Sequence, residues 1–156
     1  MWIPLDFLGK VSGLAPQAAK VFIDTNVLVY AHDMDAGYEQ RMAEDTLLGL
    51  RLDRSAVLSM QVLQEFYSTV TRKLKTPLSK KEAREIVEDF AFWCVETTPE
   101  EIRQAFRIED EAGIGFWDAL IVAAALRSGA TRILSEDLNP GQTIAGIQIE
   151  NPFAAL

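Results

Sequence analysis

The chain has 156 residues, 49% hydrophobic and 24% charged, which fits one globular domain with a real core and excludes a disordered chain. A formal net charge of −8 excludes capture of nucleic acid by a general positive field; such a substrate would need local basic patches or bound cations. One cysteine (Cys94) and one histidine (His32) exclude an intrachain disulfide and argue against a typical zinc site and against Ser-His-Asp or Cys-His catalysis.

Any catalytic metal must therefore be held by oxygen. No apolar run reaches the ~18 residues that span a bilayer, and residues 1–20 carry Asp6, Lys10 and Lys20 among their apolar groups, unlike a signal peptide. A cytoplasmic protein is expected. Residues 1–20 read as a leader, residues 21–151 as the domain, and residues 152–156 as a tail.

In chain order, Val21-Phe22-Ile23 is a short apolar strand that ends at Asp24, and a helix follows through Val27 and Tyr30. Residues 38–52 read as a second helix, and Ala56-Val57-Leu58 as a second strand. Ser59 is a good N-cap for a helix over about 60–75, where Leu63, Phe66, Tyr67, Val70 and Leu74 mark one buried face. Pro77 ends it. Ser79 and Glu82 form a capping box for the next helix, buried through Ile86, Val87 and Phe90.

Phe92 to Val95 reads as a third strand, with Cys94 in the core. Pro99 opens a helix that runs to Gly113, and Phe116 to Leu126 is apolar nearly all round, which predicts a buried helix. Arg132-Ile133-Leu134 is a fourth strand, Asn139-Pro140-Gly141 a turn, and Ile147-Gln148-Ile149 a last edge strand. Short apolar strands alternating with helices predict a parallel α/β sheet with helices on both faces.

Ligands of open α/β sheets bind outside the carboxyl ends of the strands. Asp24 follows the first strand there, and Asp137, beside Glu136, follows the fourth. Glu65 and Asp118 lie in early turns of helices that start near the same edge. Each acid also has a plain reading: Asp24 as a helix cap, Glu65 on a solvated flank, Asp118 against a helix dipole, Asp137 in a turn. The neighbours of Asp118, from Phe116 to Ile121, leave it little room for solvent. Two carboxylates ~4 Å apart repel by about 4 kcal/mol at an effective dielectric near 20. Four together persist where protons or cations neutralise them. Oxygen ligands suit Mg²⁺ or Mn²⁺, which can activate water and orient a phosphodiester.

Four segments then resemble one family. Phe22-Ile23-Asp24-Thr25-Asn26-Val27-Leu28, Gln61-Val62-Leu63-Gln64-Glu65-Phe66, Phe116-Trp117-Asp118-Ala119-Leu120-Ile121 and Leu134-Ser135-Glu136-Asp137-Leu138 look like the four acidic motifs of PIN-domain nucleases, in order and at the usual spacing. The likeness runs from about Val21 to Asn151. It implies an α/β/α sandwich around a parallel sheet of about five strands. It also implies Mg²⁺- or Mn²⁺-dependent cleavage of RNA by Asp24, Glu65, Asp118 and Asp137. Thr25, Asn26 and Ser135 would orient carboxylates or water, and Glu136 is a second acid beside Asp137. Single-domain members resemble VapC-type toxins, which implies a small antitoxin partner and a homodimer.

Arg72, Lys73, Lys75, Lys80, Lys81 and Arg84 set six cations against Glu82 alone, which reads either as a solvated helix end or as an RNA-contacting patch. The stretch Glu96 to Glu111 sets six acids against Arg103 and Arg107 and is expected to face solvent or a partner. Phe116 and Trp117 read as core. Two rivals stand beside the ribonuclease. An aspartyl-phosphate phosphatase would want a second acid where Asn26 stands. A non-catalytic interaction module would not need all four acids.

Overall fold

The computed structural model describes residues 18–154. Five strands form one sheet: β1 (Val21–Ile23), β2 (Ala56–Val57), β3 (Arg132–Leu134), β4 (Thr143–Ile144) and β5 (Ile147–Glu150), in the order β2-β1-β3-β5-β4. β1 pairs in parallel with β2 and β3, and β3 with β5; only β4 is antiparallel. Both faces of the sheet are covered, since Val21, Phe22 and Ile23 are all buried although their side chains alternate in direction.

Six helices supply that cover: α1 (Thr25–Ala31), α2 (Tyr38–Asp53), α3 (Met60–Arg72), α4 (Lys80–Phe90), α5 (Pro99–Ala112) and α6 (Phe116–Arg127). α1 packs on α2 and α3, and α3 on α4, while α5 and α6 pair with each other. The fold is the α/β/α arrangement expected from the alternation of strands and helices. Local chemistry sets several boundaries. The Ser59 side chain accepts from Val62 N, and both Ser79–Glu82 and Thr98–Glu101 close capping boxes.

Several expectations change. Phe92 to Val95 is not a strand: Ala91–Trp93 is a turn of 3₁₀ helix, and only Cys94 bridges to Leu58. Trp93 is buried while Phe92 points out, so the apolar run divides between core and surface. β5 is not the edge, because Thr143–Ile144 folds back on it. The two-residue connection has φ of 50° at Ala145 and 83° at Gly146, as a mirror-image hairpin turn requires. Alanine rarely takes that conformation, so the sequence carries no Asn-Gly signal for it.

α3 ends at Arg72, short of Leu74. α6 is buried from Ile121 to Ala125, but its first turn is not: Trp117 is 66% exposed and Asp118 is also exposed. Asp118 is therefore less shielded than expected, because Trp117 beside it turns outward while Phe116 is half-buried against the core. Cys94 is half-buried. Residues 1–17 of the expected leader, and the last two of the expected tail, lie outside the described residues. Phe153, within that tail, packs edge-on against Tyr30 with ring centroids 4.8 Å apart.

Candidate metal centre

β1 and β3 end side by side, where Asp24 N donates to Leu134 O at 3.0 Å. This puts Asp24 and the turn after β3 at one edge of the sheet. Asp24 caps α1, its Oδ1 accepting from Thr25 N at 2.8 Å, so the plain structural reading holds for one of its oxygens. The other accepts from the Ser135 hydroxyl at 2.7 Å. Ser135 Oγ in turn accepts from Asp137 N at 3.1 Å and Leu138 N at 3.3 Å, so one buried hydroxyl ties the turn to the central acid.

Asn26 clamps the same turn. Its Nδ2 donates to Asp137 Oδ2 at 3.1 Å and lies 3.4 Å from Asp24 Oδ2, while its Oδ1 accepts from Glu136 N at 3.1 Å. Glu65 arrives from α3. One of its oxygens accepts from Thr25 Oγ1 at 2.6 Å and the other from Gln61 Nε2 at 2.8 Å. Gln61 Nε2 also lies 3.5 Å from the Trp117 carbonyl, which brings the first turn of α6 beside Glu65. Sequence reasoning passed over Gln61, although its spacing of four residues from Glu65 on one helix would have found it.

The electrostatics follow from this crowding. Asp24 is 7% exposed. Burial first pushes its carboxyl up, the Ser135 and Thr25 hydrogen bonds oppose this, and the charges of Glu65 and Asp137 add to it; the result is a rise from 3.8 to about 6. Asp118 is also raised, by partial desolvation and then by Asp137 and Glu65. All four acids are thus linked electrostatically. Glu136 lies near Tyr30, whose hydroxyl burial and Glu136 push up to about 12, while Asp137 shares the Asn26 Nδ2 with Asp24. The geometry therefore directs Asp137, rather than Glu136, toward Asp24.

Among the described residues, no three acids already stand as a ready-made metal cage. The donor set still fits a hard divalent cation. It is all oxygen, and among the described residues the groups that contact Asp24 are a backbone N–H, a hydroxyl and an amide, none of them cationic. Mg²⁺ keeps several waters and asks for only one or two carboxylates, so an open arrangement of this kind suits it better than a closed cage would. Asp24, Asp137, Glu65 and Asp118 are the residues that could hold it. Thr25, Asn26, Glu65, Glu136 and Asp137 line one end of a cleft of about 720 Å³.

Of the basic run, one residue lines the cleft. Lys73 lines the far end of the cleft, Arg72 Nη2 donates to Ser68 Oγ at 2.8 Å, and Lys75, Lys80, Lys81 and Arg84 are exposed away from the cleft lining. The acidic stretch is not wholly solvated either. Glu101 is buried, caps α5 through Thr98, and pairs with Arg127 at 2.8 Å. Trp117, read as core, stands exposed one residue before Asp118.

The family model of the PIN domain matches residues 21–143. No curated relative matches the sequence. Among solved structures, the chain is similar to a toxin–antitoxin complex from Klebsiella pneumoniae at TM-score 0.63 and 16% identity, over 86% of this chain and 98% of that one. It is similar to DNA-bound VapBC from Salmonella typhimurium at TM-score 0.60 and 19% identity, over 86% and 99%. It is also similar to the sarcin–ricin loop cleaving toxin VapC20 from Mycobacterium tuberculosis at TM-score 0.60 and 14% identity, over 76% and 90%. With the four acidic motifs inside or bordering one edge of the matching fold, the chain belongs to the PIN domain family.

Proposed function

We propose that this protein is a Mg²⁺- or Mn²⁺-dependent endoribonuclease, the toxin of a toxin–antitoxin pair, working in the cytoplasm through its domain at residues 21–151. The observation that carries this reading is the recessed Asp24 carboxylate. It faces Glu65 and Asp137 with no cationic side chain among its contacts with the described residues, and burial and those acids raise it to about 6. A divalent cation bound there supplies charge neutralisation, polarises the phosphate and activates water for hydrolysis.

The residues of the chain do the positioning. Asp24 is the central ligand, with Ser135 and the Thr25 N–H fixing the directions of its lone pairs. Asn26 holds Asp137 against it, and Thr25 and Gln61 hold Glu65, which would help hold the cation. Asp118 would help hold the cation from the rim. The similarity to complexes described as toxin–antitoxin, some of them with DNA, supports a small antitoxin as partner; a homodimer is proposed from the family resemblance alone.

The test is incubation with single-stranded RNA and Mg²⁺ or Mn²⁺. Cleavage should be lost in EDTA and should fall in Asp24→Asn by more than the ~10–100-fold typical of residues that only orient a ligand. Cleavage that survives both treatments overturns the reading.

A further inference from the structure

The turn that carries Asp137 hangs between two anchors outside β3. On one side Ser135 N donates to Glu150 O at 2.9 Å, at the end of β5. On the other side Glu136 N donates to Asn26 Oδ1 at 3.1 Å, in the first turn of α1. β5 is tied to β3 by its ladder, which ends at Leu134 and Glu150. α1 has only seven residues, too few to hold a course without tertiary contacts, and it packs on α2 and α3. Its first turn carries both Thr25, which donates to Glu65 at 2.6 Å, and Asn26, which donates to Asp137 at 3.1 Å. A tilt of α1 therefore displaces two of the four acids at once.

A ring contact from beyond β5 opposes that tilt. Asn151 Oδ1 accepts from Phe153 N at 2.8 Å, and the ring of Pro152 fixes φ between them, so the chain turns as it leaves the strand. The turn sets the Phe153 ring edge-on against Tyr30, with centroids 4.8 Å apart and planes at 66°. Tyr30 lies four residues after Asn26, one turn further along the same face of α1. Phe153 lies three residues after Glu150. The ring pair thus joins the two anchors of the Asp137 turn a second time, from outside. Both rings are half-buried against the core, which limits their freedom to slide past each other.

We infer that Phe153 is a positioning residue of the metal centre: by pinning α1 to the end of β5 it sets Thr25 and Asn26, and through them Glu65 and Asp137. This rests on the metal-dependent reading above. It adds to the centre a residue that lies outside the four acidic motifs and beyond residues 21–143, where the family model matches. The functional unit thereby extends past residue 151, into what the sequence presents as a tail. An edge-to-face ring pair suits the task, since it has a preferred angle as well as a preferred distance. An aliphatic side chain at 153 keeps burial and loses the angle. Phe153 acts through α1, on the geometry of the acids rather than on their charge. The Tyr30 hydroxyl, near Glu136, is separate from this, because the ring alone meets Phe153.

Calorimetric titration with Mn²⁺ at pH 7.5 tests this, with circular dichroism to show that each variant is folded. Phe153→Ala should weaken Mn²⁺ binding about tenfold, the lower end of the range for groups that orient a metal ligand from outside. Phe153→Tyr should keep the affinity, and Phe153→Leu should fall between the two. Tyr30→Phe keeps the ring and should bind like the parent, whereas Tyr30→Ala should lose as much as Phe153→Ala. The two alanine changes together should lose no more than either alone, because both remove one contact. Asp89→Ala weakens the fold elsewhere and should leave the affinity unchanged, so lost stability alone does not mimic the effect. The proposal is overturned if Phe153→Ala binds like its parent, if the two alanine changes add, if Tyr30→Phe loses as much as Tyr30→Ala, or if Asp89→Ala weakens binding equally. Should Phe153→Ala not fold, Phe153→Leu decides, and parental affinity in that variant overturns the proposal. A parent that binds no Mn²⁺ overturns the metal-dependent reading and this proposal with it; a parent that binds, beside a Phe153→Ala that binds equally, overturns this proposal alone.

Discussion

Two places in this molecule bury charge, and they treat it in opposite ways. Behind the core, the Arg51 side chain is 1% exposed, sits 3.0 Å from Asp89 and stacks 4.8 Å above the Trp93 ring. A buried cation there meets an anion and a π face, so the local charge is matched. At the carboxyl edge of the sheet, Asp24 is nearly as deeply buried, yet its charged neighbours Glu65 and Asp137 are of the same sign. Hydroxyls and amides hold those acids in place without neutralising them. A fold that matches charge in one buried place and leaves it unmatched in another marks the second as the place built for something else.

The comparison breaks most visibly at the matched pair. Asp89→Ala should cost about 3–5 kcal/mol of stability, since removing one partner leaves the other charge buried. Urea denaturation measures it, and the cost should persist whether or not Mn²⁺ is present. A loss under 1 kcal/mol would mean that Arg51 is held by its other surroundings and that the contrast with the carboxyl edge is overstated.

At that edge the sign reverses. Asp24 has a folded value of about 6, above its ordinary 3.8, so the folded state takes up its proton first. The metal-free protein should therefore gain stability from this group as pH falls from 7 to 4, and lose it as pH rises through 6. The full difference is about 3 kcal/mol at 1.36 kcal/mol per pKa unit. Asp24→Asn should accordingly be the more stable protein in EDTA at pH 7.5, by up to that amount, and should match the unaltered protein near pH 4. Mn²⁺ should reverse the order at pH 7.5, stabilising the unaltered protein by about 4.1 kcal/mol at one thousand times its dissociation constant. Equal stability of the two proteins across that pH range would show that Asp24 carries no unmatched charge.

Much of the carboxyl edge was legible in the sequence, for a physical reason. Asp24 and Ser135 each sit one residue beyond a short apolar strand, and parallel strands that end together bring such residues together. The capping boxes were legible because they are closed within four residues. What escaped depends on tertiary packing or on unusual backbone. The Ala145-Gly146 hairpin turn has no side-chain signal, and the run from Phe92 to Val95 reads as a strand until Trp93 finds Arg51 and Phe90. The cleft between α1 and α3 has walls from two helices whose approach no local pattern encodes, which is why Tyr30 and Thr69 went unnoticed. Lys73 was picked out by its charge, but as one of six, when only the fold distinguishes it.

The smallest expected effect concerns a second tryptophan, Trp117. Trp117 has the same side chain as Trp93 but lies 66% exposed, its ring centroid 5.2 Å from that of Phe116 and its carbonyl near Gln61. Its position after Gly115, an N-cap with no side chain to bind the helix end, leaves the first turn of α6 held by little besides Phe116 and Ala119. Trp117→Ala should therefore change stability by no more than about 0.5 kcal/mol, as for ordinary surface positions. The backbone of Asp118 should stay where it is, because the Gln61 contact is to the main chain and survives the substitution. A loss above 1.5 kcal/mol in urea denaturation would place Trp117 among the groups that hold the fold, and Asp118 would then owe its position at the rim to packing rather than to the hydrogen-bonded frame around Glu65.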